Sequence, residues 1–156
     1  MYVRRLTMVA AAALALGLMP LDATVSSGSV TPSSVTFTSS NPAGSVTGAP
    51  STTTVSFTTS GSPAAFTVHV KAVTAKFTGC NTPPASAVTV SCSSASGVTC
   101  AGAAALSNTG NGTTAATGSG NHSPASFVIT YNFQDSWKYL QGASCSISTQ
   151  ITYTEP

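Results

Sequence analysis

Beyond its first 23 residues, this 156-residue chain holds few side chains that could do chemistry: two carboxylates, two histidines, four cysteines and one tryptophan. Glycoside hydrolysis needs two carboxylates at a fixed separation. Asp135 and Glu155 supply such a pair poorly, because Glu155 stands next to the last residue, where chain ends fray. His122 and Asp135 could complete a triad with one of many serines, but no G-x-S-x-G run marks a nucleophile. Asp135 reads instead as a turn residue that hydrogen-bonds its own backbone ahead of Trp137. The expectation is a protein that is not an enzyme and needs no cofactor.

His69 falls beside Lys71 on the polar face of a strand and His122 in a glycine-rich stretch, so both read as surface imidazoles rather than metal ligands. Cys80, Cys92, Cys100 and Cys145 lack the paired C-x-x-C spacing of a zinc site. In an exported chain they are expected to form two disulfides, and four cysteines permit three connectivities. Cys92 shares a face with Val88 and Val90, and Cys145 shares one with Ile147 and Ile151. That pattern favours Cys92 with Cys145 and Cys80 with Cys100. The rival is a more local set, Cys80 with Cys92 and Cys100 with Cys145. Trp137, Tyr139 and Tyr131 could form an aromatic ligand platform for a sugar ring, since such rings stack and also make a polar contact. More often such residues close the end of a core. Asn111-Gly112-Thr113 and Asn121-His122-Ser123 fit the N-glycosylation acceptor pattern, which chance produces readily in a Ser/Thr-rich chain.

The elements that must position these residues read as strands. Phe127, Ile129, Tyr131 and Phe133 alternate with Val128, Thr130, Asn132 and Gln134. Cys145, Ile147, Thr149, Ile151 and Tyr153 alternate with Ser146, Ser148, Gln150, Thr152 and Thr154. Each run is a half-buried strand, and the segment 135–144 is short enough to join them as a hairpin. Thr53, Val55, Phe57 and Thr59 form another such face, and so do Phe66, Val68, Val70 and Ala72, whose opposite side is expected to be solvated. Asn41-Pro42-Ala43-Gly44 and Gly48-Ala49-Pro50 read as turns, and 110–123 as a polar loop. Outside the leader no apolar residues recur at helical spacing over three turns. About seven to eight antiparallel strands are the arithmetic of a disulfide-stapled Greek-key β-sandwich. The run Val30-Thr31-Pro32-Ser33-Ser34-Val35-Thr36-Phe37 resembles the opening strands of bacterial immunoglobulin-like surface domains. That resemblance implies an immunoglobulin-like sandwich and no particular activity.

Arg4 and Arg5, the apolar run 8–19 and the small residue Ala23 have the three parts of a secretory signal, so residues 1–23 are expected to be removed. Residues 24–156 then form a single β-sandwich domain. Charged residues are only 5% of the chain, where about 25% is usual. Without a basic patch there is no electrostatic footprint for nucleic acid, nor for anionic lipid once the leader is gone. The expected location is secreted, periplasmic or cell-surface. The expected role is structural or adhesive, with partners drawn from other surface proteins, the chain itself or polysaccharide. The alternative is a carbohydrate-binding module built on Trp137 and nearby tyrosines.

Overall fold

Why a chain so rich in Ser and Thr folds into sheets follows from its alternation: in the runs 53–59, 66–72, 125–133 and 145–153 every second residue is apolar or a β-branched threonine. In the computed structural model the described residues are 24–26, 30–31, 34–38, 45–61, 65–79, 83–134 and 144–154. The expected leader 1–23, Cys80, the segment with Asp135, Trp137 and Tyr139, and Glu155 lie outside them. The strands are β1 (Thr24–Ser26), β2 (Val30–Thr31), β3 (Ser34–Thr38), β4 (Ser45–Ser60), β5 (Phe66–Ala72) and β6 (Val88–Ser96), followed by β7 (Thr99–Cys100), β8 (Ala104–Ala105), β9 (Thr113–Gly118), β10 (His122–Gln134) and β11 (Ser144–Thr154). Eleven strands are thus described where seven or eight are expected, four of them only two or three residues long. Among the described residues the one helical element is a short 3-10 turn, Ala85–Ala87.

All strand pairings are antiparallel and build two sheets. The first runs β8-β6-β10-β4, with β1 and β2 on the far edge of β4; the second runs β3-β11-β5-β9-β7. They join through the pair Thr36 and Ala49. Their inner faces meet through Phe37 and Phe133 at 5.5 Å, Phe57 and Phe66 at 5.7 Å, and Phe57 and Tyr153 at 5.2 Å. This is a sandwich-like packing with one core. Phe127, Ile129, Tyr131 and Phe133 are all buried, as are Thr53, Val55, Phe57 and Thr59, and Phe66, Val68, Val70 and Ala72. The period-two assignment therefore holds on three strands.

Four expectations change. β10 and β11 are not a hairpin: β10 lies between β4 and β6, and β11 between β3 and β5. β3 takes Ser144–Ser148 of β11 and β5 takes Thr149–Thr154, and the apolar faces of β10 and β11 look at each other across the core instead, as Tyr131 and Thr149 do. The stretch Gly48-Ala49-Pro50 is not a turn, since β4 runs through it. It is the irregularity at which the β4 partner of β10 jumps from Thr52 to Thr47, and an extra-residue bulge is where a strand tolerates proline. The polar region 110–123 contains β9, which pairs with β5 and buries Ala115 and Ala116. Alanine carries little apolar signal, and the register irregularity that skips Ala115 puts two adjacent residues inside and interrupts the alternation.

The fourth change is the disulfide pattern. Cys92 bonds Cys100, with Cα atoms 5.3 Å apart, so neither Cys92 with Cys145 nor the alternative pairings involving Cys92 or Cys100 form. Cys92 lies opposite Ile129 in the first sheet and Cys100 opposite Ala116 in the second. The chain passes between sheets at Gly97 and Val98, and the bond staples that crossing. β11, which carries Cys145, is separated from β6 by β3, β4 and β10 along the hydrogen-bonded path. Facing inward is not enough to bring two cysteines together. Cys145 is also disulfide-bonded and fully buried, opposite Phe37.

Candidate functional site

Tyr131 sits mid-strand on β10, its ring directed by the alternation into the core, where nothing of it reaches solvent. Its hydroxyl is 3.4 Å from Thr149 Oγ1 on β11 and also bonds Thr53 on β4. The three buried hydroxyl groups satisfy one another between the sheets, as buried polar groups must. Burial pushes the Tyr131 phenol above its ordinary pKa of 10.0, against a smaller opposite effect from the two threonines. A ring so enclosed presents no face to a ligand, so Tyr131 does not belong to a sugar platform. Trp137 and Tyr139 lie outside the described residues.

The face of β5 expected to be solvated is partly closed. His69 is only 8% exposed, because β9 and β11 flank it with threonines. One ring nitrogen, Nε2, is 3.0 Å from Thr154 Oγ1 and the other, Nδ1, 3.4 Å from Thr114 Oγ1, so the imidazole ties three strands together. Next to it, Lys71 Nζ donates to the Gly110 carbonyl at 2.7 Å and Thr152 Oγ1 donates to the Asn111 carbonyl at 2.8 Å. These bonds hold the turn 109–112 against the sheet. Gly112, at φ +97°, is required there, since a Cβ would lie 2.6 Å from the Val70 carbonyl oxygen.

His122 opens β10 and is half-buried. Its Nε2 donates to the Ser119 carbonyl at 2.9 Å, and its ring packs near Phe66 with centroids 6.5 Å apart. Gly97 lets the other nitrogen approach: a Cβ there would lie 2.8 Å from Nδ1. Both imidazoles are thus engaged with the fold, in different places, His69 with threonine hydroxyls and His122 with a backbone carbonyl. Among the described residues there is no Asp or Glu and no cluster of three metal-ligating side chains. A crevice under the disulfide crossing, lined by Val90, Cys92, Gly102, Thr114, Ala115 and Ile129 among others, has no room for a water molecule.

His69 gives a pH prediction. Burial lowers its pKa below the ordinary 6.5, so the unfolded chain binds its proton more readily than the folded one. The stability it contributes is full above that ordinary value and is lost as pH falls through the folded value. Lys71 is the other titratable group on this face of β5, while β9 and β11 place the uncharged Thr114, Thr152 and Thr154 beside the imidazole. Chemical denaturation from neutral to mildly acidic pH is expected to show a falling midpoint that His69→Gln flattens. Parallel slopes for the two proteins would refute this.

Comparison with protein-family models, with curated proteins and with solved structures finds no match to the chain.

Proposed function

We propose that the chain is a secreted or cell-surface β-sandwich of immunoglobulin-like, Greek-key type, with a structural or adhesive role and no catalytic activity. One observation carries this reading: the side chains that could do chemistry, where described, are spent on holding the fold. Tyr131 is bound to Thr149 and Thr53, His69 to Thr154 and Thr114, His122 to a carbonyl, and Cys92 to Cys100. The disulfide fits an oxidising compartment, where such bonds persist. The outer faces support the same role. On β4 and β10 they carry Thr52, Thr54, Thr58, Thr130 and Asn132, all uncharged.

Trp137 supplies the test, because it would have a different task in a carbohydrate-binding module. Under the structural reading it plugs the end of the core, its emission is blue-shifted, and Trp137→Ala costs about 3–5 kcal/mol. No retention on insoluble polysaccharides is then expected. A red-shifted, readily quenched tryptophan, with an alanine variant that stays folded but loses polysaccharide binding, would replace the structural reading with the carbohydrate-binding one.

A further inference from the structure

The N-terminal strands lie at an edge of the fold. β1 pairs Thr24 with Ser60, Val25 with Thr59 and Ser26 with Thr58; β2 pairs Val30 with Val55 and Thr31 with Thr54. In the strand order both pair with β4 alone, and the hydrogen-bonded path from β7 to β8 is complete without them. The stretch of β4 that receives them carries the buried side chains of Val55, Phe57 and Thr59. Neither side is guarded by charge: residues 24–31 and 52–60 contain no Lys, Arg, Asp or Glu. Charged residues on an edge are a common means of blocking strand addition, and this edge lacks them.

We propose that β1 and β2 dock in trans, the N-terminal strands of one copy adding to the β4 edge of a second copy. This rests on the structural reading above and names the partner as the chain itself. The backbone bonds made in trans are the same as those made in cis, so exchange sacrifices no contact and its extent is set by concentration. If the leader expected over residues 1–23 is removed, the segment is a chain end, which can leave its edge without threading. Only Pro32 and Ser33 separate β2 from β3, and short connections of this kind invite exchange. Reciprocal exchange closes as a dimer. Serial exchange is heterologous, the segment of each copy meeting the β4 edge of the next, and propagates as a filament or ring.

Ser26 and Thr58 are directly opposed, which allows the exchange to be trapped. Ser26→Cys and Thr58→Cys are made as separate proteins, checked for parental β-sheet circular dichroism, mixed and gently oxidised. The expected product is a species of twice the monomer mass, its share rising with protein concentration and its digest containing a peptide that links positions 26 and 58. A double variant with both cysteines on one chain is the control. If it closes internally while the mixture gives no 26–58 peptide, the pairing is in cis only and the proposal is overturned. If neither links, β1 does not lie on β4 and the proposal falls as well. The structural reading fails by a separate signal, retention on polysaccharide, so the two failures are told apart.

Discussion

Phe133→Ala is expected to lower the unfolding free energy by about 3–5 kcal/mol, the usual cost of truncating a fully buried phenylalanine. Phe133 is completely enclosed on β10, between Val46 on β4 and Val88 on β6 in the strand register. Its ring meets Phe37 of the opposite sheet at 5.5 Å and Phe77 at 5.4 Å, and those two meet each other edge-on at 5.6 Å. Aromatic pairs in such tilted or edge-on arrangements add about 0.5–1.5 kcal/mol each beyond the area they bury. Removing one ring therefore opens a cavity and breaks two of the three pairs. Gln150→Ala, on the exposed side of β11, should change stability by less than about 0.5 kcal/mol, and Thr130→Ala, on the outer side of β10, by little more. Ile151 is half-buried, so Ile151→Ala should fall between these limits and below the full cost that its period-two position suggests. Urea unfolding of the set checks the order. Equal losses on both faces would mean that the alternation does not define the core.

Replacing Cys92 and Cys100 together by serine is expected to cost about 2.5 kcal/mol, the loop-closure entropy for so short a crosslink. The two residues are eight positions apart, and the bond spans the crossing from β6 to β7. The loss should show as easier opening of the ends where β6 and β9 approach, read by amide exchange at Val90 and Ala116. Thiol titration of the denatured, exported protein should find no free thiols, and a non-reduced digest should yield a peptide joining Cys92 to Cys100. A peptide joining Cys92 to Cys145 would restore the pairing expected from strand faces and contradict the observed topology.

Which residues face inward was legible from sequence, and the reason is local. A strand turns over every residue, so Phe127, Ile129, Tyr131 and Phe133 must share a face whatever lies beside them, and that face must be buried. The same local rule located the apolar sides of β4 and β5. It failed where the signal was weak, as in β9, whose buried positions are Thr113, Ala115 and Ala116. It also misread Gly48-Ala49-Pro50, because a bulge and a turn use the same residues.

By itself, then, the sequence determined an all-β chain, the inward faces of its principal strands, and a set of cysteines able to crosslink them. Tertiary structure decided which strands are neighbours, and everything that depends on neighbours. Alternation states that Cys92 and Cys145 both point inward, but it holds no information on how many strands lie between β6 and β11. It states that His69 lies opposite Val68 and Val70, yet only the presence of β9 and β11 on either side, with Thr114 and Thr154, turns an apparently solvated imidazole into a buried one. Tyr131 was eligible for a ligand platform until Thr149 and Thr53 met its hydroxyl across the core. The physical reason is that a strand's period is a property of its own backbone, whereas pairing, burial of an outer face and disulfide partners depend on residues distant in the chain.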